Sequence, residues 1–329
     1  MSRWNAVRLM SAPFAIFAGV PALLLPAAAA TAYPPPSGGG TGGGTIYYTY
    51  AGVLNTMNSD GSNKTPLPAG VSGEPSYAFH GTTNDRWFLH VADGELYAVR
   101  GDAAMDVQLT DSFDGITVVS DVVPNWAKDN LVTTTINEAD SFVSFLGDAG
   151  GVEAIYRADT AFDSAGVPFL SSAAALVVAD LDILQFDWSP SGAQLAYSRS
   201  ESGNCGTVAC PVINLHNVGG TTVFLTDGSQ PAWSPSGAKI AFRTNGVVGD
   251  IATINSDGSG QTTILQGHAG RNISLYSPKW SPASTHLAYY RFGSFGSNIF
   301  DVYRATASGS SPTNLTADLA NVAQPVAWR

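Results

Sequence analysis

The sequence predicts an all-β protein, a six-bladed β-propeller of four-stranded antiparallel blades. The prediction rests on a motif that recurs about every 45 to 50 residues and on four strand-like runs in each repeat. In the clearest copies, an apolar strand ends at a tryptophan, a Ser-Pro turn follows, and a second alternating strand leaves the turn. These copies span residues 187–197, 232–242 and 279–289.

Six aromatic anchors give the number of blades. Three are the tryptophans of the clear copies. Earlier in the chain, a tryptophan in Val-Pro-Asn-Trp and a tyrosine in Glu-Pro-Ser-Tyr occupy the same position, and another tryptophan stands near the end. The anchors are Tyr77, Trp126, Trp188, Trp233, Trp280 and Trp328. One anchor for each repeat predicts six blades.

The third and fourth strands of a blade are clearest after the second of the three clear copies. A strand at 250–255 leads into an Asp-Gly-Ser turn at 257–259 and a short outer strand at 262–265, and residues 54–62 repeat the first part of this pattern. Asp-Gly favours tight hairpin turns, because type I′ geometry needs positive φ at both central residues. A calcium-binding loop is the weaker alternative, since no spaced array of aspartates accompanies these turns.

The two ends of the chain are predicted to share one blade. Residues 45–68 supply three strands that lack a first strand, and residues 325–329 supply a first strand alone. Pairing them closes the ring and removes the exposed sheet edges that would otherwise promote aggregation. Truncation of the last five or six residues is therefore expected to open the ring and to be far more damaging than ordinary loss of a tail.

The repeat resembles that of TolB-type β-propellers. The resemblance rests on Pro-x-Trp-Ser-Pro-x-Gly-x-x-Ile-Ala-Phe followed by Asp-Ile-x-x-x-Asn-x-Asp-Gly-Ser, and it covers residues 45–329. It is strong in the last three full copies and degenerate in the second and third. TolB carries an α/β domain ahead of its propeller, which serves the Tol–Pal envelope machinery. Here a leader and a short linker are expected in that place, so the resemblance implies the propeller rather than that machinery.

The first 32 residues are predicted to be a signal peptide. Arg3 and Arg8 precede an apolar run that ends in the small-residue site Ala30-Thr31-Ala32. An uncleaved N-terminal anchor is the alternative, because the apolar run is long for a signal. Residues 33–44 are rich in proline and glycine and are predicted to form a flexible linker. The mature protein is thus expected to be periplasmic or secreted, without membrane insertion after cleavage.

The only two cysteines, Cys205 and Cys210, are predicted to form a disulfide. Their spacing closes a small loop between the second and third strands of one blade, and an exported protein reaches an oxidising compartment. Metal binding by two thiols is the weaker alternative, because no matching His or Cys pair is near in the sequence.

The candidate binding surface lies on one face of the predicted ring. The turns after the tryptophans and the Asp-Gly turns share the opposite face, here called the uniform face. Connections between blades, and those between second and third strands, share the variable face, where the predicted loops are long and unlike one another: 110–123, 137–152, 198–211, 266–278 and 291–298. The candidate partner-binding residues in these loops are Phe113, Phe142, Phe145, His268, Tyr276, Phe292 and Phe295. Burial of these aromatics in small satellite clusters is the alternative.

Charge and motifs narrow the possible functions. The formal net charge of −11 argues against nucleic acid and permits a basic partner or a bound cation. No Gly-x-Ser-x-Gly elbow is present, and no cofactor or metal is expected. We expect a monomeric exported module that binds a protein partner. A glycan-binding or glycan-cleaving propeller is the alternative, with His90 and His268 meeting carboxylates at the channel mouth, so an enzymatic role stays open.

Overall fold

The computed structural model describes residues 43–75, 87–111, 115–118, 125–126, 142–205, 208–246, 248–293, 300–319 and 323–328. These residues form six antiparallel blades, and five of the blades have four strands each. The innermost strands of neighbouring blades contact one another around a ring. The predicted six-bladed β-propeller is therefore confirmed. No helix in the described ranges is long and apolar enough to cross a membrane.

The two chain ends form blade 1, as predicted. Its strands are β1 (Thr45–Tyr50), β2 (Val53–Asn58), β3 (Thr65–Pro66) and β26 (Ala323–Trp328), in the order β26-β1-β2-β3. In the antiparallel register, Ile46 pairs with Trp328, and a β-bulge follows at Tyr47/Tyr48. The indole Nε1 of Trp328 also donates a hydrogen bond to the carbonyl oxygen of Gly43 at 2.7 Å. The closing strand begins two residues earlier than the sequence suggested.

Blades 4, 5 and 6 contain the clear copies of the repeat. Each has its strands in sequence order from the inside of the ring outward. Blade 4 comprises β14 (Ile183–Trp188), β15 (Gln194–Cys205), β16 (Val208–Asn217) and β17 (Thr222–Asp227). Blade 5 comprises β18 (Ser229–Trp233), β19 (Lys239–Arg243), β20 (Ile251–Asn255) and β21 (Thr262–Leu265). A 3₁₀ turn, Ala269–Arg271, leads to blade 6, which comprises β22 (Ser274–Trp280), β23 (His286–Phe292), β24 (Phe300–Thr306) and β25 (Thr313–Asn314).

Blades 2 and 3 carry the degenerate copies. Blade 2 comprises β4 (Glu74–Pro75), β5 (Trp87–Ala92), β6 (Glu95–Arg100) and β7 (Asp106–Gln108). Blade 3 comprises β8 (Thr117–Val118), β9 (Asn125–Trp126), β10 (Phe142–Asp148), β11 (Glu153–Phe162), β12 (Pro168–Leu170) and β13 (Ala175–Ala179). Here β8 and β9 both pair with β10, and β12 pairs with the far end of β11. The uniform face is therefore less uniform than predicted, because β11 and β12 extend it by a hairpin.

The Trp-Ser-Pro-Ser-Gly motif forms a compact turn for a simple reason. In blade 4, Ser189 Oγ accepts the N–H of Gln194 at 3.0 Å, while its carbonyl oxygen accepts the N–H of Gly192 at 2.9 Å. Gly192 has a φ of 67°, which glycine adopts without strain. The serine thus satisfies the backbone donors that the turn removes from the ladder. Blade 5 repeats these bonds around Ser234.

The core lies between blades, and the anchor tryptophans connect neighbouring ones. Trp188 of blade 4 is buried against Phe142 of blade 3, and its Nε1 donates to Ser144 Oγ at 2.8 Å. Trp280 of blade 6 donates in the same way to the carbonyl oxygen of Ala232 in blade 5, at 3.0 Å. Burying a large side chain stabilises the fold by about 1.5–3 kcal/mol, and each indole bond adds about 1 kcal/mol. The repeat is therefore used for assembly of the ring.

Candidate functional site

The candidate residues from the sequence separate into three groups. Phe113 and Phe295 lie outside the described residues. Phe142 and Phe145 are buried. His268 is exposed and Tyr276 and Phe292 are partly exposed, and all three stand at the variable face of blades 5 and 6.

Phe142 and Phe145 do not lie in a surface loop. The predicted loop 137–152 contains β10, in which the two side chains are only 4% and 0% exposed. Phe142 contacts Trp188 edge-to-face at 5.0 Å, and Phe145 stacks on Tyr156 at 5.9 Å. Phe142 and Phe145 are therefore buried, which was the alternative to a place in an exposed loop. The reason is that β10 is covered by a blade on each side and carries apolar residues on both faces. A partner therefore has no access to either ring.

Tyr276 is the centre of a stacked arrangement at the variable face. Its ring lies parallel to that of Tyr290, with centroids 4.8 Å apart and 8° between planes. The guanidinium carbon of Arg243 lies 4.5 Å from the Tyr276 centroid. Tyr276 and Tyr290 are direct cross-strand partners on β22 and β23, whereas Arg243 ends β19 in the neighbouring blade. The contact with Arg243 therefore joins blades 5 and 6.

The stack continues outward across blade 6. Phe300, which begins β24, lies 6.0 Å from Tyr290 and 4.5 Å from Phe292, its cross-strand partner. We call the whole set the Arg–aromatic ladder: Arg243, Tyr276, Tyr290, Phe300 and Phe292. All five side chains are partly exposed. The ladder is thus an accessible surface of large side chains whose positions are fixed by strand pairing.

Arg243 differs in its surroundings from a typical surface arginine. Among the described residues, its guanidinium forms no ion pair and no hydrogen bond, and its Nε is buried without an acceptor. By contrast, Arg199 of blade 4 pairs with Asp180 and Glu201, each at 3.2 Å. Gly249 leaves room for the Arg243 side chain, because a Cβ at that position would lie 2.6 Å from Cζ. The guanidinium is therefore held in place by packing rather than by a carboxylate.

Two strained residues stand beside the ladder. Gln230 on β18 and Ser277 on β22 both have left-handed backbones, with φ of 57° and 47°. They occupy the same repeat position, three residues before their anchor tryptophans. The side-chain oxygen of Gln230 accepts the N–H of Ser277 at 2.8 Å, which connects the innermost strands of the two blades. Strain of this kind persists only where the surroundings enforce it, and it is concentrated at functional sites.

Tyr290 of the ladder acts as a neutral group. Burial, followed by the nearby Tyr276, raises the pKa of Tyr290 to about 12, although Arg243 acts in the opposite direction. The Tyr290 hydroxyl therefore keeps its proton at physiological pH and can donate a hydrogen bond. Arg243 supplies positive charge at the inner end of the ladder.

The contacts of His90 and His268 do not bring these two histidines together in the site predicted at the channel mouth. His90 bonds Asp106 at 2.9 Å and stacks on Tyr97, so both contacts remain within blade 2. The backbone of His268 pairs with Ile273 in the connection that precedes blade 6. No group of three or more His, Cys, Asp or Glu side chains in the described ranges could hold a metal ion.

Three ladder residues were missed from sequence, although the repeat contained a signal for two of them. Arg243 and Tyr290 occupy the same repeat position, ten residues after their anchor tryptophans, and blade 4 has Ser198 there. A position at the variable end of the second strand that differs in each copy is a candidate for binding. Phe300 follows a segment outside the described residues and has no comparable signal.

A second concave region lies between blades 3 and 4, with a volume of about 440 Å³. It is lined by Arg157, Leu176, His216 and Val218, among others, and none of the predicted site residues contributes to it. Arg157 is engaged there by Asp159 at 3.5 Å and by the Phe142 ring at 3.6 Å. The Arg–aromatic ladder is therefore the better candidate site.

Comparisons with known proteins agree on the fold. No family model and no curated protein matches the chain. Among solved structures, it is similar to TolB from Acinetobacter baumannii, with 16% identity and a TM-score of 0.59 over 88% of this chain and 67% of that one. It is also similar to a putative TolB from Agrobacterium tumefaciens, with 16% identity and a TM-score of 0.56 over 83% and 88% of the two chains. A third similar structure is Kuenenia stuttgartiensis hydrazine synthase, with 14% identity and a TM-score of 0.54 over 86% of this chain and 46% of that one.

These similarities define the class of protein. The chain is a six-bladed β-propeller with a TolB-like fold, as the repeat motif indicated. Because one fold supports many functions, the function has to be argued from the site.

Proposed function

We propose that the protein is an exported binding module, and that a protein partner docks on the variable face at the Arg–aromatic ladder. The observation that carries the proposal is the ladder itself, a row of accessible aromatic side chains that ends in a cation. Aromatic residues and arginine are enriched at the energetic centres of protein interfaces. The TolB-like fold supports a binding role, because it presents a rigid scaffold with dissimilar connections on one face.

Further apolar side chains on this face support the same proposal. Val53 follows the turn between β1 and β2, Val152 lies in the turn between β10 and β11, and Leu181 lies in the connection between blades 3 and 4. All three are exposed. A partner that extended from the ladder across the ring could bury them as well, which would give an interface of ordinary size.

A glycan is the less favoured ligand. A sugar would need a free aromatic ring face on which to stack. Arg243 and Tyr290 both lie over the Tyr276 ring and restrict access to its faces. The rings of Phe292 and Phe300 contact each other at a tilt, and this contact limits the ring surface on which a sugar could stack. We keep glycan binding as an outcome that the experiment can reveal.

Selection from a random peptide display library tests the proposal. The intact chain is expected to enrich specific peptides, and Tyr276→Ala is expected to lose them, because it removes the centre of the ladder. Phe224→Ala is the matched control, since Phe224 is an aromatic residue that is 59% exposed on β17, the outermost strand of blade 4, which carries no ladder residue. Peptides that bind the Tyr276→Ala variant as well as the wild type would refute the ladder as the docking site. Enrichment of glycans but not peptides would favour the alternative.

We further propose that residues 1–32 are removed as a signal peptide, that residues 33–44 form a flexible linker, and that the propeller of residues 45–329 functions as a monomer outside the cytoplasm. Cys205 and Cys210 stand at the loop end of the β15–β16 hairpin, where Cys210 pairs with Glu201 and Cys205 with Val208. This proximity supports the predicted disulfide. Terminal sequencing of exported protein should begin at Tyr33, and a start at Met1 would contradict cleavage.

A further inference from the structure

We propose that Arg243 is a recognition site for a carboxylate supplied by the partner. The docked segment would then present an acidic side chain or a free C-terminus next to an apolar or aromatic side chain. This inference rests on the proposed function, since it specifies the chemistry of the same surface. It is carried by the packing of Arg243, by its lack of a partner among the described residues, and by the hydrogen bond that engages the carboxylate of Asp250, the residue before the paired strand β20, elsewhere.

The guanidinium of Arg243 has hydrogen-bond donors without acceptors among the described residues. A guanidinium has five N–H donors in a planar fork that matches a carboxylate. Leaving such donors unpaired in a partly desolvated position is unfavourable, and here the Nε is buried without an acceptor. The terminal Nη groups of Arg243 are not buried, and a bound carboxylate would accept from them in charge-assisted bonds, which are stronger than neutral ones.

Packing around Arg243 fixes the position of its guanidinium before any ligand binds. The Tyr276 ring stacks on the guanidinium at 4.5 Å, and Gly249 packs against it in place of a larger residue. A planar group held in this way loses little conformational freedom on binding. Gln230 and Ser277, with their left-handed backbones, fix the strands on both sides of the interblade contact. These features are expected of a preorganised site.

The carboxylate of Asp250 does not occupy the site. Asp250 is brought close by pairing of its backbone with Thr244, the residue after Arg243. Its Oδ1 instead accepts the N–H of Gly267 at 2.7 Å, which anchors the connection to blade 6. The protein thus places a carboxylate near Arg243 and uses it elsewhere, so the guanidinium remains available.

Phenylacetate is a suitable probe, because it combines a carboxylate with a ring that can contact the ladder. Phenylacetamide is its neutral counterpart of nearly equal shape. By ligand-observed NMR on the full chain, phenylacetate is expected to bind with a Kd in the millimolar range, and phenylacetamide at least about 10-fold more weakly. Arg243→Gln is expected to remove the difference between the two probes. Arg243→Lys should retain part of it, since lysine keeps the charge without the planar fork.

Arg199→Gln is the matched control, because Arg199 already has two internal carboxylate partners. It should lower the melting temperature without affecting the preference for phenylacetate. Arg243→Gln should change the melting temperature less, since it removes no ion pair. The proposal would be overturned if phenylacetate failed to bind the wild type, or if it bound the Arg243→Gln variant equally well. A larger loss of melting temperature in Arg243→Gln than in Arg199→Gln would also overturn it, by assigning Arg243 a structural role.

The peptide selection separates this inference from the proposed function. If both hold, enriched peptides should carry Asp, Glu or a free C-terminus, and Arg243→Gln should weaken them at least about 10-fold. Peptides that depend on Tyr276 but not on Arg243, and that lack acidic groups, would preserve the docking surface and refute the carboxylate site.

Discussion

Closure of the ring by β26 makes Trp328 the most informative residue to truncate. Its side chain is 2% exposed and is buried in a cluster with Ile46, Tyr48 and Met57 of its own blade and with Val302 of blade 6. Trp328→Ala removes this burial, leaves a cavity, and removes the bond from Nε1 to the Gly43 carbonyl. Large-to-small changes at such sites destabilise by about 3–5 kcal/mol. Against a total stability of about 5–15 kcal/mol, this loss is a large fraction.

The same substitution should have a local effect that other anchors lack. Strand β26 is the end strand of its sheet and pairs there only with β1, so a weakened strand can leave the sheet. Its departure would expose the edge of β1 over Thr45–Tyr50. Hydrogen exchange is expected to show faster exchange of the β1 amides, and urea denaturation is expected to show the global loss.

Trp280→Ala is the matched control for Trp328→Ala. Trp280 is 6% exposed and its indole also donates to a backbone carbonyl, but its strand, β22, pairs with β23 of blade 6 and not with β1. It should lose a similar free energy of unfolding without selective exposure of β1. A loss below about 1 kcal/mol in Trp328→Ala, or unchanged exchange of β1, would refute the closure reasoning.

Three further predictions concern a glycine, a histidine and the cysteines. Gly309→Ala should destabilise the fold by more than about 2 kcal/mol, because φ is 82° and a Cβ there would meet a backbone carbonyl. Gly219→Ala is the control and should lose only about 1 kcal/mol, because its φ is 70° but the space around it is open. Urea denaturation gives the free energy of unfolding of both variants. Burial lowers the pKa of His216 below its usual 6.5, so the unfolded chain binds the proton first and stability should fall as the pH drops below that value. Thermal unfolding between about pH 5 and 8 should show this slope, and an equal slope in His216→Gln would contradict it. A Cys205–Cys210 disulfide should contribute about 2 kcal/mol to the free energy of unfolding, which is measured with and without reductant. Two titratable thiols in the denatured, unreduced chain would refute the bond.

The fold was predictable because the repeat carries its own structural reasons. Ser189, Gly192 and Trp188 each have a defined role in a turn or an interblade contact, and their equivalents recur in blade 5. Where the motif is lost, prediction from sequence was less accurate. In blade 3 the run 142–148 was assigned to a loop, although it forms β10. Because β10 is covered on both faces, large apolar residues stand at consecutive positions, Phe142-Val143 and Phe145-Leu146, and the strand lacks the alternation that indicates a strand.

The candidate site was only partly predictable. The face was identified correctly as the location of Tyr276 and Phe292, because connections that differ between copies must meet there. Contacts of the ladder could not be read from sequence. Arg243 reaches Tyr276 across a blade boundary, and that distance depends on how two sheets pack. Tyr290 and Phe300 were not singled out from the sequence, since period-2 patterning does not distinguish a buried aromatic from one at an accessible strand end.

The sequence by itself determined the number of blades, the order of the strands and the closure of the ring, because each depends on local turn chemistry repeated at a fixed spacing. Only the tertiary structure decided which side chains form a surface. It buried Phe142 and Phe145 between blades, and it brought Arg243 onto Tyr276 without an acidic partner among the described residues. The physical reason is that turns depend on neighbours in the chain, whereas a binding surface depends on side chains that are distant in sequence and meet only when the blades pack.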